Sequence, residues 1–322
     1  MTTKDRILQE LSQKRGEYIS GQQLADNLQI SRNAVWKAIA CLQEEGYGID
    51  AVTNKGYCLS NCDDILDKNT VAQYLENGDF FDITVFDEVD STNTLLAADA
   101  AQKCEGTVYC AKSQISGKGR RGRSFVSPMG TGVYFSLLLK PQVEAKRAVF
   151  LTSAAAVAVC RAIEKICEAK PQIKWVNDIF INNKKICGIL TEAVIDFETQ
   201  NIERVVLGIG LNVYKPKNGF DEQISNIAGA LFDEKKHNAR ARIVAEILNQ
   251  LKVLINNFDD KNAILTEYRS RCMALGKSVT VIRGDESFEA KAVDIDDDCS
   301  LVVVDETGKT QRLFSGEISI RL

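Results

Sequence analysis

The chain has 322 residues, 45 % hydrophobic and 26 % charged, with 21 glycines and four prolines. That composition excludes a long disordered chain and a collagen-like one, and the length suggests two or three domains. The formal net charge of −4 excludes a bulk nucleic-acid binder, so any DNA contact must come from a local patch.

Residues 1–60 read as one small unit. Ile7, Leu8 and Leu11 share a helical face. Ser20 with Gln23 spells a capping box ahead of Leu24, Ala25 and Leu28. Ser31 caps a third helix with Val35, Ala38, Ile39 and Leu42 on one face. Two short strands, 49–52 and 56–59, follow around Thr53, Asn54 and Lys55. Three helices and a hairpin are the pattern of a winged helix-turn-helix. Seven basic and seven acidic residues make the unit neutral. Ser31, Arg32, Asn33 and Lys37 nevertheless open the third helix, where a recognition helix meets base edges and phosphates, and Lys55 sits at the hairpin tip. The alternative is a three-helix structural domain without a nucleic-acid role.

Strands and helices then alternate to about residue 270. Strands are expected at 81–89, 107–111, 132–139, 185–195 and 204–213. Helices are expected at 91–101, 145–169, 239–256 and 263–271. Beyond Gly276 short alternating strands (279–282, 288–293, 301–304, 311–314) suggest a small barrel. The expected domains are therefore 1–62, 63–272 and 273–322. The N-terminus lacks a signal peptide's apolar core, and the longest apolar stretch, Ala148 to Cys160, is too short to span a bilayer. A cytoplasmic protein with no membrane contact is expected.

His237 is the only histidine, which excludes a multi-histidine metal site and disfavours triad chemistry. None of the ten cysteines forms a C-x-x-C pair, so they read as small buried hydrophobes in a reducing compartment. The segment Gly117 to Arg123 spells G-x-G-x-x-G, but a strand rather than a helix follows it, so the dinucleotide reading fails. What remains is a glycine-rich loop holding Lys118, Arg120, Arg121 and Arg123. Such a loop orders around a phosphate or carboxylate, or is a solvated basic surface. Asn177 and Asp178 sit between strand-like pieces, as metal or polyphosphate ligands often do. Lys185 enters an apolar strand, where a lysine needs an anion or snorkels at an edge. Gly208 and Gly210 in a buried strand suggest close approach of a ligand or another backbone.

Taken together, Ser91-Thr-Asn93, Gln114, the G-x-G-R-x-G-R loop, K-W-x-N-D, K-x-x-G and G-I-G-x-N resemble the biotin–protein ligases in order and spacing. With the winged helix in front, the chain resembles the bifunctional type that is also the biotin operon repressor. The resemblance covers essentially the whole chain. It implies an α+β multidomain protein: a winged helix-turn-helix, a central mixed α/β catalytic domain of the class II synthetase-like type, and a C-terminal SH3-like barrel. It implies that MgATP and biotin give biotinyl-5′-AMP, and that a lysine of the biotin carboxyl carrier domain of acetyl-CoA carboxylase then takes the biotin. Lys185 and Arg120 would be catalytic. Ser91, Thr92, Asn93, Gln114, Gly117, Lys118, Arg120, Lys185, Gly188 and Gly208 would hold biotin. Arg120, Arg121, Arg123, Phe125, Asn177, Asp178, Lys185 and Asn212 would hold ATP, with Asp178 on Mg2+. An adenylate-bound homodimer would bind operator DNA. Three positions depart from the family pattern: Val176 for proline, Lys118 for arginine, and Phe125 for the tryptophan that stacks on adenine. A lipoate-type ligase and a non-catalytic ligand-sensing regulator are the alternatives.

Overall fold

Serine and threonine caps organise the N-terminal unit. A computed structural model describes residues 2–60, 63–76, 78–141, 143–196, 198–256, 260–283, 286–314 and 317–320. Helix α1 (Thr3–Gln13) starts with a full capping box between Thr2 and Asp5. Ser20 and Ser31 accept from the third helical N–H of α2 (Gly21–Leu28) and α3 (Arg32–Glu45) at 3.1 and 3.2 Å. Gly46, at φ 110°, ends α3 in the left-handed region that glycine tolerates. The hairpin of β1 (Ile49–Val52) and β2 (Gly56–Leu59) closes the unit. Its core of Ile7, Leu11, Leu24, Val35, Ile39 and Leu42 is a cluster of its own.

The central unit is one seven-stranded sheet with helices against it. After α4 (Lys68–Ala72) come β3 (Asp82–Val89), α5 (Thr92–Asp99), β4 (Thr107–Gln114), β5 (Gly132–Leu139) and α6 (Ala148–Ile166). Then follow β6 (Gln172–Lys174), β7 (Asp178–Ile181), β8 (Lys184–Ile195), β9 (Ile202–Asn212), α7 (Ala239–Asn256) and α8 (Lys261–Arg271). The strand order is β3-β4-β5-β9-β8-β7-β6. Among the strand neighbours of this sheet, β3 and β4 pair in parallel and the others antiparallel. Helix α6 is apolar nearly all round because sheet and helices cover it on several sides; Ala155, Val157, Val159 and Ile163 are fully buried.

The C-terminal unit carries β10 (Ser278–Arg283), β11 (Glu286–Ile295), β12 (Leu301–Asp305), β13 (Thr310–Leu313) and β14 (Glu317–Ile320) in the order β13-β12-β11-β10-β14, all antiparallel. Among the described residues no pairing joins β13 to β14, so the small barrel expected here is not a closed one. Closure is not needed to cover its apolar face. Val279, Ala292, Leu301 and Val303 belong to the same continuous core as the central unit.

Several hydrogen bonds dock the N-terminal unit, most of them through Asp63 and Asp64: the Asp64 N–H donates to the Gly46 carbonyl at 2.7 Å, and Lys235 Nζ donates to the Gln43 carbonyl at 3.2 Å. Arg240 on α7 and Asp64 form a fully buried ion pair at 2.7 Å, and Arg240 also donates to the Asp64 carbonyl at 2.7 Å. Asp63 accepts from Arg15 at 3.0 Å and from the Gly48 N–H at 3.0 Å. A β-carbon at Gly46 would lie 1.7 Å from the Asp64 carbonyl oxygen, so only glycine fits this crossing.

Candidate active site

One end of the site is a neutral hydrogen-bonding floor. The parallel register sets Val89 opposite Gln114, which brings Gln114 beside the start of α5. Ser91 caps α5, its Oγ accepting from the Thr94 N–H at 3.5 Å. The Thr92 N–H and hydroxyl donate to Gln114 Oε1 at 2.9 and 3.2 Å, and Gln114 Nε2 donates to Ser127 Oγ at 2.9 Å. Ser136 on β5 is fully buried and reaches Thr92 Oγ1 at 2.8 Å and Asn93 Oδ1 at 2.5 Å. Asn93 Nδ2 donates to Glu192 Oε2 at 2.8 Å. A β-carbon at Gly208 would lie 2.0 Å from Asn93 Oδ1. Gly208 therefore makes room for Asn93.

The other end is cationic. The basic loop is folded by its own backbone: the Gly119 N–H donates to the Arg123 carbonyl at 2.7 Å and the Phe125 N–H to the Gly117 carbonyl at 2.8 Å. Arg121 sits at φ 55°. Arg120 Nη1 donates to Asn177 Oδ1 at 3.2 Å, and Asn177 Nδ2 donates to the Ile189 carbonyl at 2.8 Å. Opposite, β7 and β8 turn through Asn182 and Asn183, both at positive φ (49° and 60°), the signature of a tight I′ hairpin. The hairpin sets Asp178 opposite Gly188 and Lys185 opposite Phe180. Lys185 Nζ lies 2.8 Å from Asp178 Oδ1 as an ion pair. That oxygen is buried and receives no aligned hydrogen bond. The Trp175–Val176 peptide, where the family pattern has proline, is cis.

An open cleft of about 180 Å³ joins the two ends. It is lined by Ser91, Thr92, Asn93, Gln114, Lys118, Arg120, Arg121, Arg123, Phe125, Asn177, Asp178, Lys185, Gly188 and Gly208. Two expected residues do not line it. Gly117 is folded against the Phe125 carbonyl, which a β-carbon would meet at 2.3 Å. Asn212 Nδ2 donates to the Gly229 carbonyl at 3.0 Å. The Phe125 ring lies over the sheet, where a β-carbon at Gly210 would meet it at 2.6 Å. Sequence reasoning missed Ser127, Ser136 and Glu192, which support the floor, and Trp175 and Ile318, which line the cleft. Lone serines carry no sequence signal, and Ile318 arrives from the C-terminal sheet.

Burial keeps three groups near the cleft from serving as nucleophiles. Burial pushes the Cys110 thiol and the Tyr134 phenol up to about 12, and the Cys187 thiol well above its ordinary value. Among the described residues no group of three or more His, Cys, Asp or Glu could cage a metal. What the cleft can do is bring two anions together under cations and hold a neutral polar group at the far end.

The fold and the cleft define a protein ligase of the biotin/lipoate class. The family model for biotin/lipoate A/B protein ligases matches residues 85–212, the one for the C-terminal domain of biotin protein ligases matches 274–321, and a helix-turn-helix model matches 3–58. The chain is 32 % identical over 324 residues to the bifunctional ligase/repressor BirA of Bacillus subtilis, covering 99 % of each. It is 28 % identical over 311 residues to that of Escherichia coli, covering 95 % of this chain and 94 % of the relative. The solved biotin protein ligase of Aquifex aeolicus, in complex with biotin and ATP, superposes with a TM-score of 0.63 at 27 % identity, covering 74 % of this chain and 98 % of that one. The chain belongs to the family of bifunctional biotin ligase/repressors. Among the described residues no helix is long and apolar enough to cross a membrane.

At the N-terminal end, Arg32 and Asn33 lie at the exposed start of α3, Ser31 is its cap, and Lys55 at the hairpin tip stands 5.7 Å from the Tyr18 ring centroid.

Proposed function

We propose that this chain, in the cytoplasm, makes biotinyl-5′-AMP and transfers biotin to the carrier domain of acetyl-CoA carboxylase, and that its adenylate-bound dimer represses transcription of biotin genes. A carboxylate oxygen of biotin attacks the α-phosphorus of ATP. The α–β phosphoanhydride breaks and pyrophosphate leaves. The ε-amine of the carrier lysine then attacks the acyl carbon; an amide forms, the amine loses a proton, and AMP leaves with the bonding pair.

The observation that carries this reading is the polarity of the cleft. Biotin's ureido ring is neutral and polar, and Thr92, Asn93 and Gln114 offer neutral hydrogen bonds. The biotin carboxylate and the α-phosphate repel each other, and Lys118, Arg120, Arg121, Arg123 and Lys185 screen them. Lys185 is the bridging cation, released from Asp178 when the anions arrive. Phe125 contributes an aromatic face to the nucleotide. The buried, undonated Asp178 Oδ1 fits Mg2+, an ion that needs only one or two carboxylates beside phosphates and water. Bound there, it would neutralise charge on the departing pyrophosphate.

Asn212 and Gly117 enter as residues that hold strand and loop, since their side-chain positions are taken up by protein. The three working units are 1–62, 63–272 and 273–322. Incubation with MgATP and either biotin or lipoate, read by mass spectrometry, tests the reading. An adenylate with biotin alone is expected. An adenylate with lipoate would make it a lipoate-type ligase, and none with either would leave a ligand-sensing regulator.

A further inference from the structure

Trp36 stands out on the surface of the N-terminal unit. Its side chain is 59 % exposed, the most exposed of the two tryptophans, while Trp175 is buried and donates its indole N–H to the Cys299 carbonyl at 3.0 Å. Exposed indole is rare on a folded surface, because it forgoes a large apolar burial. Helical geometry places it with a purpose. Val35, Ala38, Ile39 and Leu42 take the buried face of α3. Arg32, Trp36 and Ala40 then fall at successive i+4 steps on one outer stripe, with Asn33 three residues before Trp36.

That stripe forms one wall of an open groove whose other wall is the β1–β2 hairpin, with Val52, Asn54 and Lys55. Two cations line the groove and no carboxylate does. Lys37 lies outside it, on the neighbouring stripe. The partner that fits a cation-flanked aromatic on a helix of this position is duplex DNA. Phosphates meet Arg32 and Lys55, and the indole meets what the major groove presents as apolar surface, the thymine methyl group.

We infer that Trp36 is the sequence-reading residue of the N-terminal unit, packing its indole on a thymine methyl while Arg32 and Lys55 hold the backbone. The inference rests on the DNA-binding part of the function proposed above and assigns it a specific reader. It separates affinity into two parts. The cations supply binding that any sequence receives and that salt weakens. The uncharged indole supplies discrimination that salt leaves alone.

The test uses the full chain with biotin and MgATP to select duplexes from a random-sequence pool. The selected duplex should hold a fixed thymine, and Trp36→Ala and Trp36→Phe should bind it about 10- to 100-fold more weakly than the parent. Binding to unselected duplex, and the slope of affinity against salt, should be unchanged. Arg32→Ala should flatten that slope instead. Tryptophan emission should change on adding the selected duplex and lose that change in Trp36→Phe, since Trp175 is out of reach. Ligase activity of both variants should equal the parent's, which shows that they fold. If the variants select the same sequences with affinity within threefold of the parent, the inference is overturned. If the parent enriches no duplex at all, the DNA-binding reading itself falls. Enrichment of single strands alone would overturn the major-groove assignment.

Discussion

Two residues divide the work of the cleft, and they should fail in different ways. Asn93 Nδ2 donates to Glu192 and to the Leu190 carbonyl, so its Oδ1 is the acceptor and takes the hydroxyl proton of Ser136. The Thr92 hydroxyl, whose proton goes to Gln114 Oε1, lies 2.8 Å from Ser136 Oγ and keeps a lone pair for an N–H group of a cyclic urea. Ser136→Ala removes that arrangement without touching the cations. It should raise KM for biotin about tenfold with kcat little changed, the signature of lost binding shared by ground and transition states. Lys185→Ala removes a cation from the reacting centre and should lower the rate of adenylate formation about 10²- to 10³-fold, read as pyrophosphate released in a single turnover. If both variants lost kcat equally, the division into a binding end and a reacting end would be wrong.

Elements show where sequence reading succeeds and where it stops. The long helices α6 and α7 and the strands β5, β8 and β9 stand where their apolar runs put them. The short elements α4 and β14 were not legible, and β6 and β7 showed only as strand-like pieces without bounds. Each has three to five residues, too few for a period to show. The β7–β8 hairpin matters most, because it aims Asp178 and Lys185 at each other. The cations and the K-W-V-N-D segment were legible as chemistry. The roles of the glycines were only half so: two were expected to approach a ligand or a backbone, and while both line the cleft they also make room for Asn93 and Phe125. A sequence records that space is needed but not what fills it.

A charged clasp joins α6 to α8 and sets an acid limit on the body. Glu267 accepts from Arg161 at 3.0 Å and from Arg271 at 2.7 Å, and Arg271 also reaches Glu164 at 2.6 Å. Burial alone would push the Glu267 carboxyl up, but the two arginines outweigh it and hold it below the ordinary glutamate value. A depressed carboxyl stabilises the fold above its unfolded pKa and loses that contribution as pH falls through the folded one. Stability should therefore drop between about pH 5 and pH 3, in part through this group. Glu267→Gln should cost about 1.5–3 kcal/mol at pH 7 and flatten the drop, as measured by urea unfolding across that range. An unchanged pH profile would remove Glu267 from the account.

Among the described residues the buried apolar side chains form three clusters, but not one per unit; the smallest, of Leu96, Ala100, Tyr109, Leu138 and Val206, lies within the central unit. The C-terminal sheet shares its core with the central unit, and the N-terminal helices keep their own. The N-terminal helices meet the body through the Asp63-Asp64 segment, which Arg240 anchors from α7, and through Lys235, which donates to the Gln43 carbonyl at 3.2 Å. Removing one partner of a buried pair leaves an uncompensated charge, at a cost of about 3–5 kcal/mol. Arg240→Met should accordingly make the N-terminal unit cleave from the body under limited proteolysis far faster than in the parent. Equal cleavage rates would mean that other contacts hold the join.

The buried Arg240–Asp64 pair has a geometric consequence. A DNA-binding head on a floppy tether can chase its target, and two such heads tolerate targets at many separations. A head bolted to its body cannot. In the dimer proposed above, the distance and angle between the two recognition helices are a property of the protein, and the operator must match them. Inserting about half a helical turn between the half-sites would swing one of them to the far side of the duplex, where the second head has no way to follow.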